Sequence, residues 1–222
     1  MNFGIDTFGI ETFFGSNNAF LDHFALAVTN SWVWVPVYVA FLILIIKNHD
    51  NMQQIMLCFG CAVLGVLLAT ALTSLITKPM TERLRPCNDY AYRYLVDIAS
   101  DVRSKDYSFF SSHAATSMSL VVFFGVMVRS RQLAVLLMAW SLSIVWTRLY
   151  LGQHFLSDII VGMLWGTITG AASYALYSLT SSKIFRRIGF ISSKYTSTGF
   201  DRRDIDMVSC IIVLSYIIII LI

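Results

Sequence analysis

Lys78, Arg85, His113, Arg148, His154 and Asp158 are the residues of this 222-residue chain whose types could do chemistry together. Three cations, two histidines and one carboxylate stand at the ends of segments apolar enough to cross a membrane. Ionisable groups are costly at a bilayer and mark function there by default. Cations bind the oxygens of an anion, a histidine supplies a nucleophilic nitrogen or a proton, and a carboxylate orients an imidazole. These are the needs of phosphoryl transfer, and an enzyme acting on a lipid phosphate is the leading reading.

The stretch KPMTERLRP at 78–86 delivers two of the cations to one surface. Arg85 can chelate phosphate oxygens with its planar fork, while Lys78 supplies a compact charge. Alone, the pair also reads as side chains snorkelling from a helix end. FSSH at 110–113 precedes the next apolar run. Ser111 and Ser112 there read as N-caps. A helix N-terminus also offers free N–H groups and a positive dipole end to a phosphate. His113 stands where it can donate a proton to a leaving oxygen.

In the third piece, five residues separate Arg148 from His154, and Asp158 follows at i+4. That spacing predicts His154 and Asp158 on one helix face, with the carboxylate fixing one ring nitrogen and freeing the other for attack. A local helix-capping pair is the plain alternative. Gly162, Gly166 and Gly170 continue the ridge at four-residue spacing. Small residues so placed let helices approach closely, which predicts packing inside the bundle in preference to dimerisation.

The elements that must carry these residues are membrane helices. The chain is 57% hydrophobic with a mean hydropathy of +0.69, and its 13% charged content is well below the soluble norm of about 25%. We expect an all-α polytopic bundle forming one integral-membrane domain over 1–222, with a catalytic core at about 78–158. Residues 1–18 read as a lead-in loop, without the basic start and apolar core of a signal peptide. Residues 19–29 predict a short interfacial helix. Six spans follow at 31–46, 52–77, 113–128, 132–151, 154–179 and 207–222, with Trp32 and Trp34 at interfacial depth. The net charge of +3 comes without a basic block, so nucleic acid is not an expected partner. Cys58 and Cys61 lie in an apolar helix and read as small core residues.

Six spans put the 78–112 loop and the 152–153 turn on one side. The other side carries nine basic residues: Lys47, Arg129, Arg131, Lys183, Arg186, Arg187, Lys194, Arg202 and Arg203. The first side carries seven, of which Lys78, Arg85 and Arg148 belong to the site, leaving four. The excess of basic residues marks the cytoplasmic side, so the site is expected to face the periplasm or exterior.

In order and spacing, the three pieces resemble the signature of the type 2 phosphatidic acid phosphatase superfamily: Lys-x6-Arg-Pro, Pro-Ser-Gly-His, and Ser-Arg-x5-His-x3-Asp. The likeness runs from Lys78 to Asp158. It implies that Lys78, Arg85 and Arg148 bind the phosphate and that Ser111 hydrogen-bonds the phosphoryl oxygens; Ser112 beside it is counted with the phosphate-binding candidates. It also implies His154 as nucleophile oriented by Asp158, and His113 as the acid that protonates the leaving group. Phe110, Ser112 and Thr147 depart from the signature's Pro, Gly and Ser. If position 112 required a positive φ or a close backbone approach to phosphate, serine there would be strained.

The resemblance implies hydrolysis of a lipid phosphate, monoester or diphosphate, through a phosphohistidine. The lipid would come from the outer leaflet of a bacterial inner membrane. No cofactor is implied. No metal is expected either, because three cations would repel one. Lipid A phosphate or undecaprenyl diphosphate is the first substrate reading, and phosphatidylglycerol phosphate or phosphatidic acid the second. A catalytically silent lipid-binding or transport protein of the same fold, or an unrelated channel, is the competing class. In the loop 87–109, Tyr90, Tyr92, Arg93, Tyr94, Arg103 and Lys105 read as head-group contacts or as a solvated, interface-seeking loop. His23 and His49 read as incidental.

Overall fold

The computed structural model describes residues 4–15, 18–92, 104, 106–184 and 193–221. Among these the chain is helical: α1 (Gly4–Phe13), α2 (Ala19–Thr29), a 3-10 turn (Ser31–Trp34), α3 (Val35–Lys47), α4 (Met52–Ala71), a π-helical turn (Leu72–Thr77), α5 (Lys78–Thr81), α6 (Ser112–Val128), α7 (Arg131–Tyr150), α8 (Leu156–Ile184) and α9 (Arg202–Leu221). Four stretches are long and apolar enough to cross a membrane: Met52–Thr81, Arg131–Tyr150, Leu156–Ile184 and Arg202–Leu221. The pair Ala19–Thr29 and Ser31–Lys47 qualifies together as a span bent by 64°, and Ser112–Val128 is apolar but shorter. The bundle is therefore all-α and polytopic; among the described residues four of the six expected spans qualify alone, the first only when joined to Ala19–Thr29, and the third is shorter.

Side-chain caps set the boundaries. Asn18 accepts from the Phe20 and Leu21 N–H groups, Asn30 from Trp32, Ser111 from Ala114 and Ser130 from Leu133. Pro36 falls in the first turn of α3, where its missing N–H costs nothing, so it opens the helix instead of kinking it. α6 is the central helix and touches α4, α7 and α8, while α3 lies against α9. Aromatic side chains fill the core, among them Trp34, Phe41, Phe123, Phe124 and Trp140. Trp32 is 82% exposed, as an interface anchor should be, but Trp34 turns into the core and donates to the Val28 carbonyl at 2.9 Å.

Three expectations need correction. Residues 4–13 are not a loop. They form α1, which packs on α7 and α8 with Ile10 buried and Gly9 facing Leu156; tertiary docking stabilises a short helix that propensity alone would not. The second span does not stop at 77 but continues to Thr81 through the π turn. Pro79 cannot donate to the carbonyl one turn back, and the widened turn before it accommodates the ring. Finally, α8 starts at Leu156 and α9 at Arg202, so His154 precedes its helix and is not on it.

The glycine ridge explains how the site is assembled. A Cβ at Gly162 would lie 2.7 Å from the Ser111 carbonyl oxygen, one at Gly166 2.3 Å from that of Ala115, and one at Gly170 2.4 Å from that of Ser119. α8 thus rides directly on the backbone of α6, as predicted for packing within the bundle. This contact brings the N-terminus of α6 beside the first turn of α8, and the Ser111 N–H donates to the Asp158 carbonyl at 3.2 Å.

Candidate active site

After α7 the chain folds back on itself. Leu151 N–H bonds to Thr147, Gly152 N–H to Leu149, and the Gln153 and His154 N–H groups both reach the Arg148 carbonyl. Gly152 has φ 60°, a left-handed conformation that glycine adopts without strain. This turn swings His154 under the end of α7, where it is 1% exposed.

The two ring nitrogens of His154 face different groups. Nδ1 is 3.6 Å from Asp158 Oδ2 and 3.4 Å from Ser108 Oγ, and Ser108 itself makes a short hydrogen bond to that carboxylate oxygen. Nε2 faces the guanidinium of Arg85, with Nη1 at 3.5 Å. Nδ1 is thus held on the acidic side, and Nε2 is directed at the cations. The pairing read as i, i+4 on one helix is really a turn residue against the first helical turn. Asp158 also accepts the Phe155 N–H at 3.0 Å, the reach-back bond of a capping box. Capping and orienting, set as alternatives by the sequence, are both carried out by this one carboxylate. Burial pushes the His154 imidazole down to about 3; Asp158 pulls the other way, while Arg148 and Arg85 add to the fall. The ring is therefore unprotonated at neutral pH, the form needed for attack.

The cations converge on the same point. Arg85, 4% exposed, donates Nε to the Asp106 carbonyl at 2.8 Å and Nη1 to the Gln153 carbonyl at 3.0 Å. Arg148 donates Nη1 to Thr29 at 2.8 Å, but its buried Nε has no hydrogen-bond partner. Among the described residues, the Lys78 ammonium has no hydrogen-bond or ion-pair partner. His113 lies within electrostatic reach of Arg148, His154, Lys78 and Arg85. All six sequence-predicted ionisable residues are brought together.

Ser111 is the buried N-cap of α6, with its Oγ 3.4 Å from the Ala114 N–H. Ser112 does not have the strained backbone the sequence raised as a condition: among the described residues, only Glu82 and Arg129 are non-glycines with positive φ. Its hydroxyl is buried without a partner. Buried polar atoms are almost always satisfied, and among the described residues Ser112 Oγ and Arg148 Nε are exceptions, as are Trp140 Nε1 and Ser173 Oγ.

Sequence reading missed several residues. Arg83 was counted as a free basic residue, yet it pairs with Asp158 at 2.7 Å and with Asp6 at 2.6 Å. Its position between Lys78 and Arg85 was the available signal. Ser108 and Gln153 carried none, since lone polar residues in loops are ordinary. Tyr92 packs on Phe155 at 5.7 Å between ring centroids, and Tyr90 is exposed. Arg93, Tyr94, Arg103 and Lys105 lie outside the described residues.

Comparison with known proteins gives three findings. The family described as the PAP2 superfamily matches residues 59–181. The lipid A 4'-phosphatase of Bacteroides thetaiotaomicron is 33% identical over 172 residues, covering 77% of this chain and 76% of that protein. The lipid A 4'-phosphatase of Porphyromonas gingivalis is 27% identical over 169 residues, covering 76% and 71% respectively. No solved structure matches.

Proposed function

The chain belongs to the PAP2 superfamily and is a membrane-embedded lipid phosphatase, and from that premise we propose that it removes a phosphate monoester from lipid A through a phosphohistidine. The observation that carries this reading is the geometry of His154, with Nδ1 toward Asp158 and Nε2 toward Arg85. Nε2 attacks phosphorus in line, the bond from phosphorus to the lipid oxygen breaks, and His113, which takes up a proton with the arriving phosphate, gives that proton to the lipid oxygen. Water then attacks the phosphohistidine with His113 as base, releasing inorganic phosphate and free His154. Lys78, Arg85 and Arg148 stabilise the charge on the equatorial oxygens, and the hydroxyls of Ser111 and Ser112 add donors.

Charge supports a phosphate: Lys78, Arg83, Arg85 and Arg148 outnumber Asp6, Asp106 and Asp158, so the cluster keeps a net positive charge. The lipid character is supported by a mainly apolar cavity of about 390 Å³ that has His113 in its wall, with Trp34, Phe41, Phe59, Leu120, Phe124 and Trp140 among its residues and the hydroxyls of Thr29, Ser31, Thr116 and Ser117 beside them. An acyl chain of the leaving lipid fits beside the residue that protonates it. The names of the relatives favour lipid A over the other lipid phosphates.

We place the site on the periplasmic side of the inner membrane. The support is the sequence count of nine basic residues on the other side against seven on this one, three of which belong to the site.

Phosphate release by the purified protein from lipid A, undecaprenyl diphosphate, phosphatidylglycerol phosphate and phosphatidic acid tests the substrate. Lipid A is expected to turn over fastest. His154→Ala is expected to lose roughly a thousandfold or more in turnover, together with the acid-labile phosphoenzyme. Full turnover in that variant refutes the mechanism, and preference for a diphosphate refutes the monoester assignment.

A further inference from the structure

We propose that Asp6 and Arg83 are positioning residues for the reaction, forming a carboxylate–guanidinium–carboxylate chain, its two carboxylates buried, that fixes Asp158 and, through it, His154. The inference rests on the reading of His154 as nucleophile and Asp158 as its orienter. It adds to the site a residue from α1, some seventy positions ahead of the first signature piece.

Arg83 leaves the 82–92 segment and enters the space between α1 and α8. Nη1 donates to Asp158 Oδ1 at 2.7 Å and to Ser157 Oγ at 2.8 Å, and Nη2 donates to Asp6 Oδ2 at 2.6 Å. The remaining oxygen of Asp6 accepts the Ser157 N–H at 3.0 Å. The guanidinium carbon sits 4.0 Å over the ring of Phe155, the residue next to His154. Asp6 is 1% exposed and Asp158 is not exposed at all, so each carboxylate depends on this guanidinium for compensation.

The arrangement divides the Asp158 carboxylate. Oδ1 belongs to Arg83, while Oδ2 serves Ser108, the Phe155 N–H and the His154 side. With one oxygen pinned, the other cannot rotate away from Nδ1, and the plane of the imidazole is fixed. Arginine suits this position because its rigid fork reaches two carboxylates at once, which an ammonium on a flexible stem does not do in one geometry. Asp6 in turn holds the fork: without its charge, Arg83 is free to close over Asp158 and pull it from His154.

Two substitutions separate this role from simple docking of α1. Asp6→Asn keeps the size of the side chain and an acceptor for the Ser157 N–H but removes the charge. Arg83→Lys keeps the charge but not the fork. Phosphate release from lipid A is measured for each purified variant and expressed per vanadate-binding site, so that unfolded protein does not enter the rate. The kcat is expected to fall on the order of tenfold to a hundredfold, the usual cost of losing an outer partner that orients an active-site imidazole. KM and the vanadate Kd are expected to stay within about threefold, since the phosphate cradle is untouched. In an Asp158→Ala background, neither substitution should lower the residual rate further, because the group they act through is gone. Wild-type kcat in both single variants, or an equal additional loss in the Asp158→Ala background, overturns the proposal. A fully active His154→Ala would instead overturn the mechanism beneath it, so the two failures are distinguishable.

Discussion

Ser112 stands where the superfamily signature has glycine, and its hydroxyl is buried without a hydrogen-bond partner. An unsatisfied buried hydroxyl costs folding free energy, about 1–3 kcal/mol. A phosphate oxygen arriving at the site would satisfy it, and a hydrogen bond to a charged group is worth about 1.5–3 kcal/mol. Ser112→Ala is therefore expected to lower kcat/KM by about tenfold to a hundredfold while leaving the thermal midpoint of the unliganded protein unchanged or higher. Steady-state kinetics and a melting curve on the same sample check both halves; unchanged kinetics would remove Ser112 from the phosphate cradle. The six ionisable residues were legible in the sequence because charge and imidazole are conspicuous among apolar spans. Ser108, Gln153 and Asp6 were not. A serine, a glutamine and an aspartate in loop-like segments have no distinguishing pattern until folding puts Ser108 between His154 and Asp158.

Packing of α6 on α8 sets the distance between the two halves of the site. The Cβ of an alanine at Gly166 would lie 2.3 Å from the Ala115 carbonyl oxygen, and backbone cannot yield as a flexible side chain can. Gly166→Ala is expected to destabilise the protein by about 1–3 kcal/mol, the scale of overpacking, and to lower activity by moving Ser111–His113 away from Asp158. Gly60→Ala on α4 is the matched control, since a Cβ there meets nothing within 4 Å; it is expected to leave both properties intact. Thermal midpoints in detergent give the comparison, and equal shifts in the two variants would sink the argument. The ridge itself was readable, because its four-residue period is a sequence property. Its partner helix was not, nor was the π turn before Lys78, which arises from the demand of Pro79 on the turn preceding it. α1 escaped notice because ten residues of mixed character fold only against α7 and α8.

Seen whole, the molecule keeps its charged cluster at one end of the bundle and an apolar cavity running from it among α3, α4, α6 and α7. Which end faces outward is open to direct measurement. In a variant lacking the exposed Cys210, a cysteine at Ser104 is expected to react with an impermeant thiol reagent in intact cells, and one at Asn51 only after lysis. The reverse pattern would invert the topology and put the phosphatase in the cytoplasm. The polytopic character followed from hydropathy, and the orientation argument followed from counting Lys and Arg. What neither could supply was the commitment of Arg83 to Asp6 and Asp158. That pair of contacts has a consequence for inheritance. Loss of Asp6 leaves Arg83 with Asp158 as its remaining carboxylate, whereas loss of Arg83 leaves two buried carboxylates without their shared cation, so the tolerance of each position depends on the other. Two residues 77 positions apart are thus expected to vary together, which ties the history of the N-terminal helix to that of the active site.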